Sequence, residues 1–118
     1  MEKKLRLRRN EDFTRVYRQG SASYNRDFKV VFRQNRKDHN RYGFSLSKKF
    51  GKAHERNRTK RQLREIVRLN QDFFPSGYDI VILPKESVKI QDYHRLSESL
   101  LHCVKQWTSK EKGSQLRR

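Results

Sequence analysis

The chain has 118 residues, 30 Lys and Arg against 13 Asp and Glu, a formal net charge of +17 and a pI near 10.6. That length fits one domain, and 28 residues of Leu, Ile, Val and Phe clear the ~20% below which a highly charged chain stays disordered, so a small core is expected. No apolar run approaches the ~18 residues of a membrane span, the basic start lacks the apolar centre of a secretory signal, and a single cysteine, Cys103, excludes an internal disulfide; the expected location is a reducing cytoplasm.

The first predicted element is a helix capped by Asn10, with Glu11 and Asp12 at its positive end, Phe13, Val16 and Tyr17 on one stripe, and Gly20 stopping it. Phe28, Val30 and Phe32 alternate with Lys29, Val31 and Arg33 as a half-buried strand. Tyr42, Phe44 and Leu46 alternate with Gly43, Ser45 and Ser47 as a second strand with a small, polar other face. The polar stretch from Gln34 to Asn40 reads as the turn of a hairpin between them. A second helix is expected over about 54–70, a buried strand over Tyr78 to Leu83, closed by Pro84, and a last helix over about 91–108. On the last helix Tyr93, Leu96, Leu100, Val104 and Trp107 share one face, with Cys103 as a small buried hydrophobe. The expected fold is α+β, with two helices covering one face of a small sheet.

Charge is concentrated rather than spread. Residues 48–68 hold nine positive and two negative side chains, whereas 69–107 hold four and five. A surface kept for solubility mixes signs, so this cluster points to a polyanionic partner. Plotted at ~100° per residue, Thr59, Leu63, Ile66, Val67 and Asn70 face the sheet, and Asn57, Arg61, Arg64 and Arg68 form a second stripe, with Arg58 beyond it. From Asn57 to Arg68 is about 16 Å along the axis, enough to span several phosphates. Arginine's planar fork suits phosphates and stacks on bases.

A membrane-surface role fails, because the far face of this helix must cover the sheet and carries no Trp or Phe. Neither a helix-turn-helix nor a zinc pattern supports a DNA reader, and aromatic residues beside basic ones favour RNA. The four histidines and Cys103 show no metal-ligand spacing, and His54 with His94 as an acid–base pair has no support from spacing. No catalytic residue is expected in the polypeptide. A structural RNA-binding protein of the ribosomal type, which would share the charge and fold size, stands as the alternative, and a stand-alone ribonuclease is a third class.

The segment Gly43-Phe44-Ser45-Leu46-Ser47-Lys48-Lys49-Phe50-Gly51-Lys52-Ala53, followed by Arg56-Asn57-Arg58-Thr59-Lys60-Arg61, closely resembles the signature of the bacterial ribonuclease P protein subunit. Arg6-Leu7, Asn10 through Phe13 and Gly20 carry the likeness toward the amino terminus, and it spans about Leu5 to Trp107. A single RNA-binding domain is expected over 1–118, with a basic segment at 1–9; the basic tail at 109–118 lies outside the shared pattern and is expected to be flexible. The resemblance implies a two-layer α-β sandwich with a small mixed sheet, in the order α-β-β-(β)-α-β-α, and a left-handed crossover around the basic helix.

The same resemblance implies a protein that assists a catalytic RNA in removing the 5′ leader from precursor tRNA, with Mg²⁺ at the active site of that RNA. Arg56, Asn57, Arg58, Lys60, Arg61, Arg64 and Arg68 would then lie near the catalytic RNA. Phe13 and Tyr17 would line a cleft for the single-stranded leader, with Ser45 and Ser47 on its small polar face and Lys48 and Lys49 at its rim. Which face of the first long strand contributes, that of Phe28, Val30 and Phe32 or that of Val31, is left open by the alternation.

Overall fold

The computed structural model describes residues 2–116. Its helices are α1 (Asn10–Gln19), α2 (Ala53–Leu69) and α3 (Tyr93–Leu116), and its strands are β1 (Ser21–Tyr24), β2 (Phe28–Gln34), β3 (Arg41–Phe44) and β4 (Tyr78–Pro84). The four strands form one sheet in the order β1-β2-β4-β3. β1 pairs antiparallel with β2, β2 antiparallel with β4, and β3 parallel with β4.

This order corrects the expected β2–β3 hairpin. The two strands never pair, because β4 lies between them. Ile80, Val81 and Ile82 are fully buried, so β4 is apolar toward both faces and belongs at the centre of the sheet. The true hairpin is β1–β2, across Asn25-Arg26-Asp27. There the Asn25 Oδ1 accepts hydrogen bonds from the Asp27 and Phe28 N–H groups at 3.0 and 2.8 Å.

Strand alternation divides the core in two. Phe28, Val30, Phe32, Tyr42, Ile80 and Ile82 face α2 and α3, meeting Leu63, Ile66 and Val67 of α2 and Leu96, Leu100, Cys103, Val104 and Trp107 of α3. Trp107 stacks on Phe32 with ring centroids 4.1 Å apart. Val31 and Val81 face the other way and pack with Leu7 and Val16, so α1 lies alone on the second face. The two-layer sandwich thus carries one extra helix on its otherwise open side.

Four boundary details differ from expectation, the first being that the second strand, expected from Tyr42 to Ser47, ends at Phe44, where the chain leaves the sheet toward the 3-10 turn Lys48–Phe50. Asn10 is the first residue of α1 rather than its cap; Arg9 holds the cap position and no side chain closes it. Tyr93 opens α3 but stays 38% exposed, outside the core face. α3 continues to Leu116 instead of ending near 108, and residues 117 and 118 of the expected tail lie outside the described residues. Gly20 ends α1 as expected, because a Cβ there would lie 2.5 Å from the Val16 carbonyl oxygen and 2.7 Å from that of Phe32. The chain turns there directly from α1 into the edge of the sheet.

Candidate nucleic-acid interface

The face of the sheet under α1 consists of three rows set by register. Arg33, Asp79 and Arg41 form the first, Val31, Val81 and Gly43 the second, and Tyr24, Lys29 and Leu83 the third. Ser45 extends the third row beside Leu83, its N–H donating to the Ile82 carbonyl at 3.0 Å. α1 covers the middle row, where Val16 is fully buried. Phe13 sits directly over Gly43: a Cβ at that position would lie 2.6 and 2.7 Å from two Phe13 ring carbons and 3.2 Å from Leu7. The glycine is there because the ring needs its space.

One flank of α1 is tied down. Arg41 donates two hydrogen bonds to the buried Asp79 carboxylate, at 2.9 and 2.7 Å, and its third nitrogen is 3.8 Å from Asp12 on α1. Arg33 donates to the Gln19 side chain at 2.7 Å and lies 3.8 Å from Asp79. Burial acts to raise the Asp79 carboxyl, but hydrogen bonds from Arg41 and Asn35 and the charges of Arg41 and Arg33 outweigh it and hold it below the ordinary 3.8.

The other flank is open. Tyr17 is 44% exposed and Tyr24 56% exposed, with the Lys29 ammonium 5.4 Å from the Tyr24 ring centroid. Across the strands, the row from Tyr24 to Ser45 is about 14 Å wide at ~4.8 Å per strand. Its floor is Lys29, Leu83 and Ser45, and Phe13 and Tyr17 form the wall. The undecided face of β2 is thereby assigned: Phe28 and Phe32 are buried against α3, and the strand offers Lys29 to this groove. Tyr24 and Lys29 were not anticipated as site residues. The signal for Tyr24 was the weak alternation in Ser21 to Tyr24, too short and too polar to read as a strand, and Lys29, though on a predicted strand, takes its place from the register.

α2 sits on the opposite face of the sheet. Thr59, Leu63, Ile66 and Val67 are buried as the helical plot requires, and the arginine stripe remains outside. Glu55 closes the amino end, accepting the Lys52 N–H at 3.1 Å, a bond that holds its carboxyl below the usual range. The stripe is not uniform. Arg56 is half-buried, donating to the Gly51 carbonyl at 2.5 Å, so it fastens the preceding loop. Arg68 is paired with Glu65 at 2.5 Å. Asn57, Arg58 and Arg61 are exposed, Lys60 and Arg64 half-buried, and among the described residues none of these four cations has a carboxylate partner.

Two unlike surfaces therefore exist, a row of cations on α2 and a groove of exposed rings with one lysine, Lys29. The structure brings Phe13, Tyr17 and Ser45 to the groove beside α1, and sets the α2 residues behind the sheet. Ser47, Lys48 and Lys49 are exposed between them, the two lysines on a single 3-10 turn (Lys48–Phe50) that leads into α2. Among the described residues no group of three His, Cys, Asp or Glu side chains could hold a metal ion, and no helix is long and apolar enough to cross a membrane.

Residues 1–108 match the model of a protein family described as Ribonuclease P. A ribonuclease P protein component from Finegoldia magna is 46% identical over 111 residues, covering 94% of this chain and 97% of the relative. Among solved structures, the ribonuclease P protein from Thermotoga maritima is similar with a TM-score of 0.80 and 38% identity, over 86% of this chain and 96% of that one. A Staphylococcus aureus ribonuclease P protein structure also gives 0.80, at 34% identity, covering 86% and 93% of the two chains.

Proposed function

The chain belongs to the ribonuclease P protein family, and on that premise we propose that it binds the catalytic RNA of ribonuclease P through α2 and the 5′ leader of precursor tRNA through the groove beside α1. As the protein component of a ribonucleoprotein that cleaves tRNA precursors, it contributes binding and leaves hydrolysis to the RNA. The observation that carries this reading is the separation of two unlike surfaces on the two faces of one sheet. Among the described residues Arg58, Lys60, Arg61 and Arg64 of α2 have no carboxylate partner, an array suited to a folded polynucleotide. The groove combines exposed rings with a lysine, suited to an unpaired strand.

The physics fits the task. Mature tRNA lacks the leader, so contacts confined to the leader favour substrate over product. Rings that stack on any base bind single strands with little sequence preference, as an enzyme with many precursors needs. Positive charge between two RNAs lowers their mutual repulsion, and the association weakens steeply with salt. Among the described residues no three His, Cys, Asp or Glu side chains are grouped to hold a metal ion, and Asp79 is engaged by Arg41, Asp27 by Ser87, Gln91 and Ser99, and Glu65 by Arg68. In this proposal the Mg²⁺ belongs to the RNA, and no step at this chain's residues runs through it.

Reconstitution tests the reading. Added to a bacterial ribonuclease P RNA at limiting Mg²⁺, the chain restores leader cleavage; a structural RNA-binding protein of the ribosomal type leaves the rate unchanged, and that result overturns the proposal. Cleavage by the chain without RNA overturns it as well. Phe13→Ala combined with Tyr17→Ala narrows the affinity gap between precursor and mature tRNA, and an unchanged gap in a folded variant removes the groove from the proposal.

A further inference from the structure

Arg6 and Leu7 form a pair whose two side chains part ways. Residue 6 bridges Tyr42 in parallel at the outer edge of β3, and the Leu7 N–H donates to the Tyr42 carbonyl at 2.9 Å. Leu7 is buried on the α1 face, against Gly43 and Val16. Neighbouring side chains in extended backbone point to opposite faces, so Arg6 is directed to the α2 side. On that side its charge acts on Arg64, as does the charge of Arg61. Burial, then the charges of Arg6 and Arg61, hold the Arg64 guanidinium below its ordinary value, the mark of cations gathered without an anion.

The Arg6 Nε–H is buried, and among the described residues it is the one buried side-chain nitrogen or oxygen that has no hydrogen-bond partner. Such a donor is expensive to leave unmet, and a guanidinium held among others needs an acceptor that carries negative charge. Among the described residues no carboxylate pairs with Arg6, Arg61 or Arg64; Glu65 is engaged by Arg68 and Glu2 lies 4.0 Å from Lys4.

We propose that Arg6, Arg61 and Arg64 form a seat for one phosphate-type oxyanion, accepting the orphaned Arg6 Nε–H. The source favoured by the surface around it is a backbone phosphate of RNA lying along α2, which rests on the reading of α2 given above. The seat joins the amino-terminal segment to the α2 surface, so the polynucleotide contact extends from the helix to the edge strand of the sheet.

The test uses the full chain in two arms. In the first, inorganic phosphate is titrated into isotope-labelled protein and the Arg6 Nε–H resonance, assigned by its loss in Arg6→Lys, is followed. It moves to saturation in the wild type and in the control Arg95→Gln, and needs several-fold more phosphate in Arg64→Gln. A resonance that stays still while other arginines respond, or titrates identically in Arg64→Gln, overturns the seat. In the second arm, Arg6→Gln lowers the slope of log affinity for a ribonuclease P RNA against log salt by about one, the loss of one phosphate contact. An unchanged slope in a variant with native circular dichroism overturns RNA as the source and leaves free phosphate as the ligand. Should the wild type fail to bind that RNA, the function proposed for α2 falls, and the phosphate titration still decides the seat.

Discussion

Replacing Gly43 by alanine puts a methyl group where the Phe13 ring now rests. The new carbon would lie 2.6 and 2.7 Å from two ring atoms, against ~3.5–4.0 Å for ordinary carbon contact, so the ring must withdraw by about 1 Å. α1 cannot simply rise. Val16, one turn on, is fully buried, and the Gly20 N–H donates to the Val16 carbonyl at 2.8 Å where the chain enters β1. The ring itself must swing off its preferred rotamer toward the groove. Overpacking of this kind costs roughly 1–3 kcal/mol, and the reduced freedom of the unfolded chain returns about 0.4–1 kcal/mol. The net expectation is a loss of about 1 kcal/mol in urea unfolding. Gly43→Ala placed in a Phe13→Ala background meets no ring, so the loss there vanishes or changes sign, giving a coupling of about 1 kcal/mol or more. Equal losses in both backgrounds would refute the argument that the glycine exists for the ring.

Three further outcomes follow from the same geometry. Arg58→Ala lowers the salt slope of RNA binding by about one, whereas Arg68→Ala lowers it less, because Glu65 already compensates that charge; equal effects measured by filter binding would show that the ion pair opens in the complex. Tyr24→Ala weakens binding of precursor tRNA several-fold and leaves mature tRNA and the catalytic RNA unaffected; a uniform loss would place Tyr24 outside the groove. Asp79→Ala strands Arg41 and Arg33 and costs about 2–4 kcal/mol, below the ~3–5 kcal/mol of a fully buried pair because both arginines retain some solvent. Since the Asp79 carboxyl titrates below 3.8, its contribution is complete above about pH 5 and is lost as pH falls through its lowered value; urea midpoints that decline just as steeply in acid without Asp79 would refute its role.

Much of the site was legible because its signals are local. The α2 stripe follows from helical spacing alone: once Thr59, Leu63, Ile66 and Val67 are placed inward, the arginines have nowhere else to go. Which strands pair is not local. The Gln34 to Asn40 stretch has the composition of a hairpin turn, yet the preference of the doubly buried β4 for the sheet centre separates β2 from β3. Tyr24 and Lys29 escaped for the same reason, since their place beside α1 follows from the β1–β2–β4 register and not from their own neighbours. Ion pairs behaved likewise. Arg56 and Arg68 belong to the stripe by spacing, and only the fold shows one fastened to a carbonyl and the other to Glu65.

The asymmetry around α1 explains why one helix can both pack and leave a binding surface. A short helix with a single fully buried residue, Val16, rests on little apolar area and would slide over a flat sheet. The Asp12–Arg41–Asp79 chain and the Gln19–Arg33 bond hold one flank in polar contacts, which are directional where apolar contact is not. Gly43 then lets Phe13 settle against the sheet at the opposite flank. With position fixed from the polar side, the aromatic side has no packing duty beyond Phe13, so Tyr17 and Tyr24 remain exposed across an open row. An apolar clamp on both flanks would have held the helix as firmly and closed the groove. The buried Asp79 carboxylate in the first row is therefore what leaves the third row open.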